Sequence, residues 1–123
     1  MKTQDLFTAV AFAIGLTVPV AAHHSHAMYD MDLSITLEGT VTEFFWGNPH
    51  SWLYISVTNE SGEAVEWALE TNPPWVLAEQ GWESNSIQAG DEVSVTVKPL
   101  RRGIHGGQLD TVTMSDGREF SHD

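Results

Sequence analysis

Cysteine is absent from the 123 residues. Its absence excludes disulfides, thiolate ligands, a thiol nucleophile and a lipid-attachment site, so a folded domain must rest on its hydrophobic core. Basic residues are scarce, with 5 Lys and Arg against 17 Asp and Glu and a formal net charge of −12. Such a surface repels phosphate backbones and anionic lipid, which argues against nucleic-acid and membrane-surface roles. It suits solubility, cations or a basic partner. Catalytic signatures are missing as well: there is no Gly-rich phosphate loop, no His-Glu-x-x-His and no Gly-x-Ser-x-Gly elbow. The nearest paired carboxylates, Glu66 and Glu70 with Glu63 close by, fall on the outer face of a strand, where charged residues are ordinarily solvated. Arg101 and Arg102 form the one basic spot. Nothing here marks an enzyme.

No apolar run is long enough to span a bilayer, which takes ~20 residues. Residues 1–22 open with Lys2, run through an apolar region from Leu6 to Val18 and close on Val20-Ala21-Ala22. That is the pattern of a secretory signal peptide with a small-residue cleavage site, and it predicts export to the periplasm. Its removal leaves 16 acidic and 4 basic residues, still net −12. Residues 23–33 then form a His-rich leader without a clear period, expected to be extended or mobile. Residues 34–120 are long enough for a single domain.

What is present is mostly β-patterned. Leu33, Ile35, Leu37 and Val41 alternate with Thr36, Glu38, Thr40 and Thr42, and the interior Gly39 predicts a bend or bulge. A second strand over residues 51–58 turns Leu53, Ile55 and Val57 inward, and Asn59-Glu60-Ser61-Gly62 closes a hairpin onto Val65, Trp67 and Leu69. Thr71 or Asn72 followed by Pro73-Pro74 opens a short helix that ends before Gly81, with Trp82 as a core plug. Val93, Val95 and Val97 mark a fourth strand, residues 99–107 a glycine-rich loop holding His105, and residues 108–114 a fifth strand before a short tail. The order β-β-β-α-β-β predicts an all-β domain with one short helix, a small five-stranded OB-fold-like barrel.

The stretch Phe44-Phe45-Trp46-Gly47-Asn48-Pro49-His50-Ser51-Trp52 joins the first two strands. Gly, Asn and Pro in succession are turn chemistry. Period-two parity puts Trp52 and Tyr54 on the outer face, where Phe44 and Trp46 would meet them as cross-strand pairs. With Asn48 at the turn, these residues are a candidate platform for a small planar ligand or a protein partner, a reading that needs no metal. In OB-folds the first loop and the loop between strands four and five commonly frame a ligand, and here they carry His50 and His105.

The leader offers a second reading. Cleavage after Ala22 frees the α-amine of His23, whose pKa near ~7.7 lets it deprotonate at neutral pH. Amine and imidazole of that residue can chelate copper, with further nitrogens from His24, His26, His50 or His105. Cleavage one residue earlier gives Ala22-His23-His24, which also suits Cu(II) or Ni(II). Imidazole nitrogen binds Cu(II), Ni(II) and Zn(II), with Cu(II) highest in the affinity order. The expected metal residues are therefore His23, His24, His50 and His105, with copper or another transition metal as the ion. Oxidative copper chemistry at such a site is a third reading, for which the sequence provides no substrate groove. His122 is expected to be idle.

With these residues in view, the chain resembles a family of small exported bacterial proteins catalogued as domain of unknown function 6152. The resemblance rests on His23-His24-Ser25, Tyr29-Asp30, Gly39-Thr40-Val41 and the aromatic run ending in Asn48-Pro49-His50. Trp67, residues 74–77, Gly81-Trp82, Gly90-Asp91-Glu92-Val93, Gly106-Gly107 and Asp116-Gly117 follow in order. Ala89 departs from the proline the family usually has before Gly-Asp, and His26 is an addition. The resemblance implies a periplasmic location and a small β-barrel, and it supplies no activity.

Overall fold

The structure, a computed structural model, describes residues 27–123. The expected signal peptide and His23, His24 and His26 lie outside the described residues. Five strands follow from the alternating patterns: β1 (Ile35–Phe45), β2 (Trp52–Thr58), β3 (Ala64–Glu70), β4 (Glu92–Pro99) and β5 (Gly106–Met114). A single helix with a described range, α1 (Pro74–Glu79), stands between β3 and β4. Antiparallel pairing runs β3-β2-β1-β4-β5, and β3 meets β5 in parallel through Ala68↔Gly106, Leu69↔Gly107 and Glu70↔Gln108. That short seam closes the sheet into the five-stranded OB-like barrel that the element order predicts.

Closure needs backbones that approach closely. A Cβ at Gly107 would run into the Val97 side chain and the Lys98 carbonyl, so a glycine stands where β5 leaves β4 to reach β3. Inside lie Val41, Leu53, Ile55, Leu69, Val93, Val95, Val97, Leu109 and Val112, the apolar halves of the alternating rows. Leu77 of α1 and Trp82 join the same core. The Trp82 ring packs on Phe120 and Phe44 at centroid distances of 5.1 and 6.0 Å, and its Nε1 donates to Ser121 O at 3.2 Å.

Four local expectations need correction. The irregularity in β1 comes at Thr42 between Val41 and Glu43, not at Gly39. One extra residue there reverses the parity of everything downstream. Phe44 therefore pairs with Leu53 and packs on the core with Trp46, while Phe45 pairs with Trp52 on the outer face. The residues after the fifth strand are not a loose tail. They turn at Gly117 and return as β6 (Glu119–Ser121), antiparallel to β5. Leu33 stays outside β1 and is exposed. Finally, the last part of the leader is tied down, with Tyr29 in an isolated antiparallel bridge to Leu100. Asp30 N donates to Pro99 O at 2.8 Å, and Arg101 N to Met28 O at 3.0 Å.

Candidate functional site

Strand parity turns Leu69 into the core and the next residue, Glu70, outward. Solvent is expected there, yet Glu70 is only 7% exposed. The reason is that both ends of the described chain fold over it. The leader lays Tyr29, 2% exposed, against one side, and its hydroxyl donates to Glu70 Oε2. His122 lines the same pocket. Its carbonyl accepts from Asn72 Nδ2 at 2.8 Å and Gln80 Nε2 at 2.5 Å, and its Nε2 accepts from Gln108 Nε2 at 2.9 Å. His122 is thus part of the site, contrary to the idle role expected. Between these segments is a small pocket of about 60 Å³ lined by Tyr29, His50, Glu70, Thr71, Asn72, Gln108 and His122.

His50 reaches the pocket because the turn before β2 is fastened to the end of β3. Ser51 N donates to Asn72 O at 3.1 Å and Thr71 N to Ser51 O at 3.0 Å, so His50 is held beside Thr71. Its Nδ1 lies 3.1 Å from Thr71 O and 3.5 Å from Glu70 Oε1. A carbonyl oxygen only accepts, so Nδ1 carries the hydrogen and the neutral ring keeps its lone pair on Nε2. The side chain is 41% exposed, which leaves it open to a ligand.

Burial, reinforced by the hydrogen bond and charge of Glu70, pushes the Tyr29 hydroxyl well above the ordinary tyrosine range. It remains a proton donor across neutral pH. Two further polar atoms face no partner among the described residues: Thr71 Oγ1 and Gln108 Oε1, on residues 1% and 8% exposed.

The other expected site residues are dispersed. His105 is exposed and packs on the Trp67 ring at 5.2 Å. Trp67 and Glu70 have opposite parity on β3, so His105 and His50 do not share a site. Among the described residues no three His, Asp or Glu side chains form a metal-holding group. The expected four-aromatic platform is split. Phe44 meets Trp46 edge-on at 5.9 Å on the core side, whereas Trp52 and Tyr54 stack at 6.4 Å with planes 22° apart. Asn48, in the turn, is exposed, and its peptide bond to Pro49 is cis.

Tyr29, Glu70, Thr71, Asn72, Gln108 and His122 were not singled out as site residues by the sequence. The available signal was the one aromatic residue in the His-rich leader and a glutamine near the start of the fifth strand.

The model of the family of unknown function DUF6152 matches residues 12–109. The chain belongs to DUF6152. The matched span includes Tyr29, His50, Glu70 and Gln108 and ends before β6 and His122. No curated protein and no solved structure matches this DUF6152 chain.

Tyr29→Phe removes the donor to a buried carboxylate and is expected to destabilise the DUF6152 fold by about 1–3 kcal/mol. Urea unfolding at pH 7 measures it. The raised Tyr29 pKa adds a sign-specific signature. Above the unfolded tyrosine value of about 10 the native state holds more protons than the unfolded chain, so stability falls as pH rises. That component of the alkaline loss should disappear in Tyr29→Phe.

Proposed function

We propose that this chain is an exported periplasmic binding module that holds a transition-metal ion, copper foremost, between its mature N-terminal histidines and His50. The observation that carries the reading is the fixing of His50 Nδ1 by Thr71 O and Glu70, which leaves Nε2 as a ligand nitrogen. A carboxylate or carbonyl behind an imidazole is the usual outer support of a metal-binding histidine, setting its tautomer and raising its basicity.

The leader supports the same reading. Tyr29 is anchored in the His50 pocket, and His23 lies six residues earlier, a tether of at most ~22 Å. In this arrangement the His23 amine and ring anchor the ion, and His24 and His50 supply further nitrogens. Such a nitrogen-rich set favours Cu(II) over the other common divalent ions. His105, packed on Trp67 at the other side of β3, is left out. Binding rather than catalysis is the role, with copper-dependent oxidation as the enzymatic variant of the same site. A second reading, a metal-free module, draws support from the outward Trp52–Tyr54 stack with Phe45 opposite Trp52, a face suited to a planar ligand or a protein partner.

Cu(II) titration of protein beginning at His23, beside a form with one extra N-terminal residue, tests the proposal. One-to-one binding that is lost in the extended form is expected. Equal binding by both forms would remove the terminal site and favour the aromatic face.

A further inference from the structure

Strand pairing fixes which side chains surround the Trp52–Tyr54 stack, because directly opposed residues in a sheet share a face. On β1, Glu43 stands opposite Tyr54 and Phe45 opposite Trp52. On β3, Glu66 stands opposite Ser56 and Ala68 opposite Tyr54. Glu43, Tyr54, Ser56 and Glu66 therefore meet on one outer face. Thr42 Oγ1 donates to Glu66 Oε2 at 3.2 Å. Thr42 is on β1 and Glu66 on β3, so this bond spans β2 and holds the carboxylate over it. The rings of Trp52 and Tyr54 stack with planes 22° apart, and the second face of Tyr54 thus turns away from Trp52, toward Ser56 and the Glu66 carboxylate. Glu43 and Glu66 are exposed, and among the described residues no lysine or arginine pairs with either.

We propose that this corner of the sheet binds the guanidinium of an arginine carried by a basic partner protein. A guanidinium is flat, permanently charged and weakly hydrated, so it stacks on an aromatic face while its N–H fork meets a carboxylate. Tyr54 offers the face and Glu66 the carboxylate, with Glu43 on the strand at the other flank of the ring. A lysine ammonium is a compact, strongly hydrated charge that cannot stack as a plane, and anionic ligands are repelled. The surface is open, with Phe45 43% exposed opposite Trp52, so a free small cation would be held from one side only. A partner protein also covers these rings and excludes water from the cation, which strengthens its attraction to the ring. The net charge of −12 speeds encounter with a basic partner. The inference rests on the reading of Trp52 and Tyr54 as a binding face and is independent of the copper site.

The test titrates metal-free protein with a capped Leu-Gly-Arg-Gly-Leu peptide while NMR follows the Tyr54 ring and the Trp52 indole N–H. Peptides with lysine or citrulline in place of arginine run as parallel arms, as does N-acetylarginine amide. A saturable shift centred on Tyr54 is expected with the arginine peptide. The lysine peptide should bind about threefold more weakly. The citrulline peptide, which keeps the plane and loses the charge, should bind about tenfold more weakly. Tyr54→Thr, which keeps a strand-forming residue and removes the ring, and Glu66→Gln, which removes the charge alone, should each weaken arginine binding two- to fivefold. Equal affinity for the arginine and citrulline peptides would overturn the guanidinium site and leave the aromatic face standing as a surface for neutral ligands. The absence of a saturable shift with every peptide would remove the face as a protein-binding surface and the inference with it. N-acetylarginine amide binding as tightly as the peptide would overturn the protein partner in favour of a free guanidinium compound. Should Tyr54→Thr fail to fold, the wild-type comparison of arginine with citrulline still decides.

Discussion

Trp82→Ala is expected to destabilise the protein by about 3–5 kcal/mol, the range for removing a buried aromatic from a packed core. Trp82 is 2% exposed and comes after Gln80 and Gly81 at the end of α1, a helix of six residues that cannot stand on its own propensity. Its ring fills the space between Phe44 on β1 and Phe120 on β6, and its indole N–H ties the β6 backbone at Ser121. Truncation therefore opens a cavity, leaves the Ser121 carbonyl without its donor and loosens β6, a three-residue strand paired on one side with β5. Against a total of about 5–15 kcal/mol for a domain, this is a large fraction. Urea unfolding should show a lower midpoint with an unchanged slope. Because His122 follows Ser121, the pocket side chains should also gain solvent exposure, seen as faster amide exchange at Asn72 and Gln108. A loss below about 1 kcal/mol would mean that the ring is not the plug its burial implies.

Glu70→Gln is expected to lower Cu(II) affinity about tenfold, the lower end of what outer-shell partners of a metal-bound histidine contribute. The substitution keeps the size but offers one carbonyl oxygen where Tyr29 and His50 meet two carboxylate oxygens, and it removes the negative charge facing Nδ1. A neutral amide raises ring basicity less than a carboxylate does, so the loss appears at Nε2, the ligand nitrogen. Thr71 O, 3.1 Å away, still holds the ring, which is why the effect is not larger. Competition titration against a chelator of known affinity measures it, with His50→Ala as the limiting case. Equal affinity for wild type and Glu70→Gln would assign the orienting role to Thr71 O alone.

The barrel was legible because its signal is periodic. Val93, Val95 and Val97 repeat every two residues, and so do Leu53, Ile55 and Val57, and both rows lie where that period puts them. The breaks in the pattern were harder to locate. A glycine in β1 drew attention to position 39, but the extra residue entered at Thr42, whose side chain carries no turn chemistry, and the parity of Phe44 reversed with it. His50 was legible as a site residue from its chemistry alone. Glu70 was not, although its parity was. A carboxylate on the outer face of a strand reads as solvated unless something covers it, and here Tyr29 from the leader and the His50 ring lie against it, with His122 from the tail lining the same pocket. Neither the leader nor the tail has a hydrophobic period, and their docking combines single rings, the buried Tyr29 and the partly buried Phe120, with hydrogen bonds such as those from Asp30 N to Pro99 O and from His122 N to Asp110 O. Such contacts are set by tertiary structure and leave no repeat to read.

The most direct test of the proposed metal site is electron paramagnetic resonance of the one-to-one Cu(II) complex of protein beginning at His23, compared with its His50→Ala variant. Nitrogen hyperfine structure counts the ligands. His50→Ala is expected to lose one nitrogen while the signals of the terminal amine and ring remain. Identical spectra for the two proteins would contradict a site shared by the leader and His50.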